Sequence, residues 1–310
     1  MIVNIGLLLV GFLALIKGAD YFVDGAASIA SLLKIPSVVV GLTIVAFGTS
    51  APEAAVSITA ALNHSNAIAI SNVIGSNIFN LIVVLGMTAI ITIIPVPRSI
   101  MRKEFPFLIA VSFLMALFIF TGNSLTRLEG IIFLILIIAY VVWLIKDSLS
   151  KRASIEVEKP MFSLPMSLVL IVIGIFGIIF GGDLVVNNAK AIALTLGLSE
   201  KLVGLTIVSI GTSLPELVTS LVAAKKGNVD IAVGNVVGSN IFNILFILGL
   251  SATITPIPVE FALMFDLVIM LIATLLCFFV AKRNGKLGKK EGIIFLLLFI
   301  SYLTYIIIRN

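Results

Sequence analysis

The sequence predicts an all-α integral membrane protein of ten transmembrane helices, arranged as two inverted-topology repeats of five with interrupted helices at the repeat motifs. Three observations lead there. Of the 310 residues 60% are hydrophobic and 11% charged, with a mean hydropathy of +1.27. A soluble domain carries about 25% charged residues, so lipid must be the solvent for most of these side chains. Second, the apolar residues fall into about ten long runs. Third, the segment GLTIVAFGTSAPE at 41–53 returns as GLTIVSIGTSLPE at 204–216, identical at ten of thirteen positions and shifted by 163 residues.

In chain order the runs are 3–32, 37–62, 67–94, 104–120, 128–146, 164–196, 201–223, 229–255, 260–281 and 291–308. Several exceed the roughly 20 residues a span needs, which implies tilt or internal breaks. The first run lacks the basic n-region of a cleaved leader, and its counterpart from Pro165 is internal, so both are expected to be spans. The repeat extends well beyond the opening motif. GAD at 18–20 matches GGD at 181–183, GSNIFN recurs at 75–80 and 238–243, and TIIPVP at 92–97 matches TPIPVE from 255. LEGIIFLILIIAY from 128 matches KEGIIFLLLFISY from 290 after a one-residue slip. The expected organisation is a first repeat at 1–145, a cytoplasmic link at 146–162 and a second repeat at 163–310.

Five spans per half force the second half to enter the membrane from the other side. Charge supports this independently. Links on one side, from Lys34 to Lys290, collect fifteen basic residues; the other side has Arg127, Lys190, Lys201 and Arg309. The positive-inside rule then puts the fifteen in the cytoplasm and both termini outside a cell membrane. The net charge of +5 thus reports topology and not nucleic-acid binding. One cysteine, Cys277, excludes an internal disulfide.

Glu53 and Glu216 fall near the middle of their runs, where a charge costs about 2.5–3.5 kcal/mol on insertion scales. Their neighbours suggest the compensation. Pro52 and Pro215 have no N–H for the carbonyls of Gly48 and Gly211, and freed carbonyls at this depth are tolerated where they line a cavity. Thr49, Ser50, Thr212 and Ser213 add hydroxyls to the same turns. In GSNIFN, Ser76 and Asn80 share a helix face, as do Ser239 and Asn243, while Asn77 and Asn240 point about 100° away. Every group is an oxygen donor, which fits hard cations such as calcium and not zinc or copper. Inverted repeats with ion sites at the midplane are a signature of secondary transporters.

The paired GTS-x-PE and GSN-x-x-N motifs resemble the repeats of the cation/calcium antiporter superfamily, specifically its prokaryotic sodium/calcium exchanger branch. The resemblance covers nearly the whole chain. It implies an antiporter that exchanges sodium for calcium by alternating access, with the first and sixth spans sliding across a fixed core. It implies calcium between Glu53 and Glu216 with the carbonyls of Thr49 and Thr212, and sodium at Ser50, Ser76, Ser213, Ser239 and the carbonyls of Ala46 and Ser209, sharing both glutamates and both threonines. Asn80 and Asn243 would face the central position; some relatives carry Asp at the place of Asn243. No enzyme activity and no cofactor are expected. The expected partners are sodium, calcium and the bilayer, for a monomeric chain. The alternative is a proton-driven calcium antiporter, whose relatives usually show GNxxE. An intramembrane protease would need GxGD, HExxH or a Ser/His pair, none of which stands at membrane depth.

Other residues carry plainer readings. The glycines of GIFGIIFGG at 174–182 are spaced for helix packing. Asp20 and Asp183 are repeat-equivalent candidates for a gating or structural role, Asp24 for an interfacial one, and His64 for a loop residue. Cys277 and Met270 are expected in lipid or core contacts.

Overall fold

The computed structural model describes residues 1–151, 159–197 and 209–309. The start of the second motif, GLTIV at 204–208, and the charges Arg152 and Lys201 lie outside the described residues, as does the middle of the 146–162 link. Among the described residues the chain is helical apart from four two-residue strands. Eight helices are long and apolar enough to cross a membrane, and a ninth span results if one bent pair is counted as a single crossing.

We label the helices α1 (Ile2–Leu33), α2 (Ser37–Thr49), α3 (Ala51–Leu62), α4 (Ala67–Ile91), α5 (Ile100–Gly122), α6 (Arg127–Ser150) and α7 (Leu164–Thr195). After the turn Ser209–Gly211 come α8 (Leu214–Lys225), α9 (Val229–Ile254), α10 (Phe261–Asn284) and α11 (Lys289–Arg309). The break between α2 and α3 falls at Ser50 and bends the chain by 50°. It lies where the sequence puts it, at the turn before Pro52, whose ring is accepted in the first turn of α3 because that turn needs no N–H from it. Pro215 opens α8 in the same way. The expected run at 201–223 begins outside the described residues.

Burial sorts the helices. The apolar stretches of α4 and α9 are 78% and 89% buried, against 11% for α11, so among the long helices these two form the centre. Both centre helices widen into a π turn, Asn80–Val84 and Asn243–Leu248, directly after GSNIF. A π turn adds a residue to the helical circuit and re-aims the side chains beyond it, and such turns concentrate at functional sites. Two more lie at Gly41–Val45 in α2 and at Ile100–Glu104 at the start of α5.

The long helices α1 and α7 pack against each other as an antiparallel pair. A Cβ on Gly18 would sit 2.6 Å from the backbone N of Ile178, one on Gly25 2.7 Å from the carbonyl of Ser167, and one on Gly11 2.9 Å from Leu184. Backbone lies on backbone, so the small residues at 174–182 serve helix packing as their spacing implies. Both helices run 32 residues, about 48 Å, well beyond a hydrocarbon core of about 30 Å.

Two tiny antiparallel sheets tie the links together. Strand β1 (Ile94–Pro95) pairs with β4 (Lys286–Leu287), and β2 (Ser124–Leu125) with β3 (Ile257–Pro258). Each sheet joins one strand from before the 146–162 link to one from after it. The first sheet lies among the lysine- and arginine-rich links, which we call the basic face. Cys277 and Met270 are fully buried core residues, and the Cys277 thiol donates to the Leu81 carbonyl at 3.4 Å. His64 occupies a loop at φ 57°.

Candidate ion-binding site

The α2–α3 break and the turn before α8 lie against each other, and their side chains cross over. Ser50 Oγ donates to Glu216 Oε1 at 2.9 Å, and Ser213 Oγ lies 3.1 Å from Glu53 Oε1. Ser213 Oγ also lies 3.0 Å from Ser76 Oγ on α4. A hydroxyl has one proton, so when Ser213 serves Glu53, Ser76 donates to Ser213. All five side chains are buried, both glutamates completely. Each carboxylate is therefore held by the serine of the other half, which brings Glu53, Glu216, Ser50, Ser213 and Ser76 into one cluster.

A second layer fixes the backbone of the breaks. Asn72 Nδ2 donates to the Glu53 carbonyl at 3.3 Å and to Ser57 Oγ at 2.9 Å, and its Oδ1 accepts from Thr212 Oγ1 at 3.4 Å. Asn235 Nδ2 donates to the Glu216 carbonyl at 3.4 Å and to Ser220 Oγ at 3.0 Å, and its Oδ1 accepts from Thr49 Oγ1 at 3.0 Å. Each asparagine thus braces one broken helix and grips the threonine of the other. Motif reading missed both. The signal was present, because the identity around GSN extends upstream as NVIGSN and NVVGSN, with Asn72 and Asn235 in register. Ser57 and Ser220 are in register too.

The remaining residues divide. Asn243 Nδ2 donates to Asn77 Oδ1 at 3.0 Å, and Asn77 Nδ2 reaches the Asn240 carbonyl at 3.4 Å, so the Asn77 side chain joins α4 to α9, while Asn240 Nδ2 donates to the Val236 carbonyl of its own helix. The Ala46 carbonyl accepts from the Ser50 N–H at 3.0 Å and faces Thr49 Oγ1 at 3.4 Å. Ser209 begins the turn before α8. Asp20 and Asp183 stand apart from the cluster, one on each long helix.

Twelve buried side-chain polar atoms find no partner among the described residues, and six of them belong to residues the sequence nominated: Glu53 Oε2, Glu216 Oε2, Asn80 Oδ1 and Nδ2, Ser239 Oγ and Asn243 Oδ1. Leaving such an atom unpaired costs about 1–3 kcal/mol, more if it is charged. Five of the six are oxygens, and all five belong to the residues the sequence nominated. That donor set fits a hard cation, which binds carboxylate, amide and hydroxyl oxygens in irregular geometry. Two ionised carboxylates without a cation would be uncompensated buried charges costing several kcal/mol each.

Comparison with known proteins agrees with this chemistry. The chain matches the family described as sodium/calcium exchanger protein over residues 3–146 and 166–308. It is 41% identical to the putative antiporter CaxA of Alkalimonas amylolytica, over 97% of this chain and 98% of that protein. It is 30% identical to the sodium/calcium exchanger MaX1 of Methanosarcina acetivorans, over 97% and 98%. Solved structures of the sodium-calcium exchanger NCX_Mj superpose with a TM-score of 0.87 at 36% identity, covering 98% of this chain and 99% of that one.

Proposed function

From the premise that this chain belongs to the sodium/calcium exchanger family, a multi-pass membrane antiporter of sodium and calcium, we propose that both ions share the crossed cluster between the two halves. Calcium, as substrate, takes Glu53 and Glu216 together with Thr49 and Thr212. Sodium takes Ser50, Ser76, Ser213, Ser239 and the carbonyls of Ala46 and Ser209, with the same glutamates and threonines, while Asn80 and Asn243 face the centre. The observation that carries this reading is the pair of completely buried glutamates, each with one oxygen held by the opposite serine and the other without a partner among the described residues.

The same chemistry accounts for exchange without leak. Two carboxylates balance one calcium or two sodium ions. Reorienting with neither bound would carry two uncompensated charges through the low-dielectric centre, so the loaded forms cross and the empty form is held back.

Ten spans in two inverted repeats of five, at 1–145 and 163–310, complete the reading, with the basic face and the 146–162 link in the cytoplasm of a cell membrane and both termini outside. The inter-half strand pairs support it: β1 and β4 both come from links assigned inside, β2 and β3 from links assigned outside.

The test is calcium flux into proteoliposomes of the purified protein under separate sodium and proton gradients. A sodium gradient is expected to drive uptake, and Glu53→Gln to abolish it. Uptake driven by a proton gradient alone would transfer the site to proton-coupled calcium transport.

A further inference from the structure

Asp20 and Asp24 stand four residues apart on α1 and so share a face. Lys226, just past the end of α8, reaches both. Its Nζ pairs with Asp20 Oδ1, lies 3.1 Å from the Asp20 carbonyl and 2.6 Å from Asp24 Oδ1. The three side chains are between 22% and 31% exposed, so water screens the bridge only partly. Burial disfavours the ammonium charge, but the two carboxylates outweigh it and hold the Lys226 pKa above its ordinary value.

This bridge has an unusual position. Among the described residues it is the one polar side-chain tie between the α1–α7 pair and the rest of the protein. The other side-chain bonds of these helices stay within their own helix or its first turn, Lys17 to Asp20, Ser167 to the Ser163 carbonyl, Asn188 to the Leu184 carbonyl and Thr195 to the Ala191 carbonyl, and Ser28 Oγ is buried without a partner among the described residues. The rest is apolar contact, Phe22, Val23 and Ala26 among Val40, Val45 and Ala223. Apolar contact is non-directional. The bridge is directional and sits on the basic face.

The repeat shows what stands opposite. At the shift of 163, Asp183 answers Asp20, Asn187 answers Asp24 and Asn63 answers Lys226, so two of the three charges are gone. In place of a bridge there is a cavity of about 280 Å³, lined by Ala55, Gly182, Asp183, Asn187, Gly211 and Thr212. It extends to the threonine of the candidate ion site. A larger cavity of about 770 Å³ lies beside the bridge on the basic face, among Asp24, Ser28, Lys226 and Asp230, but no residue of the candidate ion site lines it, whereas the equivalent side opens as far as Thr212.

We propose that Lys226, Asp20 and Asp24 form a side-selecting latch: the bridge holds the α1–α7 pair against the end of α8 on the basic face and so keeps the ion site facing the opposite side until it breaks. The proposal rests on the antiport reading, since a latch of this kind has meaning only for a site that must open alternately. It gives the two orientations unequal weight, and Lys226 is the residue that sets the bias.

The test uses the full chain carrying Ala55→Cys, a cavity-lining position, with the native Cys277 buried and so inert to a bulky reagent. Labelling of this cysteine by a membrane-impermeant maleimide is followed on purified protein without calcium. Breaking a partly exposed ion pair should shift the balance modestly, so Lys226→Met is expected to slow labelling roughly three- to fivefold. Lys226→Arg, and the exchange of Asp24→Lys with Lys226→Asp, are expected to retain the parent rate. Labelling of Lys226→Met at the parent rate, in protein that calcium still stabilises against heat, overturns the latch. If Lys226→Met does not fold, Asp24→Asn is measured against the same expectation. Sodium-driven calcium flux of the parent is measured in parallel. Its absence would sink the antiport reading, whereas labelling judges the latch.

Discussion

The centre of the molecule and its rim treat the internal repeat differently. At the centre three kinds of contact come twice: Ser50 to Glu216 and Ser213 to Glu53, Thr49 to Asn235 and Thr212 to Asn72, Asn72 to Ser57 and Asn235 to Ser220. At the rim the pairing lapses, with Lys226 opposite Asn63 and Asp24 opposite Asn187. The difference reflects the task of each region. A site shared by two orientations has to look the same from both sides, so its ligands stay in register. The approaches to that site cannot both be open at once, so identity there is not required.

Even the centre is not perfectly balanced, and mutations can measure by how much. The largest effects are expected at the acids. Glu53→Gln and Glu216→Gln should each lower sodium-driven calcium flux at least about 100-fold, since each removes one of two buried charges facing the cation. A variant retaining near-normal flux would mean that the two halves do not contribute equally. Next come the crossed serines. Hydrogen bonds to charged groups are worth about 1.5–3 kcal/mol, so Ser50→Ala and Ser213→Ala should cost about tenfold or more in apparent calcium affinity. Ser213→Ala should be the more severe, because Ser213 also contacts the Ser76 hydroxyl on α4. Equal losses would show that the Ser76 contact is silent.

Smaller effects are expected at the braces. Asn235 is completely buried and holds Thr49 at 3.0 Å, whereas Asn72 is half-buried and holds Thr212 at 3.4 Å. Asn235→Ala should therefore lower thermal stability more than Asn72→Ala, within about 1–3 kcal/mol for the groups left unpaired. Reversal of that order would place the weaker half on the other side of the site. The smallest contrast is steric. Gly6→Ala should be neutral, because its added Cβ meets open space, while Gly18→Ala must push α1 off Ile178 and should lower stability and flux.

Much of this was readable in the chain, and the reasons are specific. Lipid exposure makes an acid, a proline and a hydroxyl at mid-span conspicuous, and recurrence at one shift turned Glu53 and Glu216 from oddities into a pair. The glycines of α7 announced close packing by spacing alone. Asn72 and Asn235 escaped because a lone asparagine upstream of a motif has no local signature; only the length of the identity marks them. The π turns at Asn80 and Asn243 had no readable signal, since a widened helical turn depends on how neighbours pack and not on a residue type. The Lys226 bridge was hidden for a similar reason. Its partners lie 202 and 206 residues away, and nothing in the repeat points to them.

The two miniature sheets carry a consequence for how such a protein can move. β1–β4 rivets the halves together at one surface and β2–β3 at the other, and neither contains a residue of α1 or α7. A body pinned at top and bottom cannot swing apart like the covers of a book. On the proposed antiport, the motion that uncovers the ions then falls to α1 and α7, the two long helices outside both rivets.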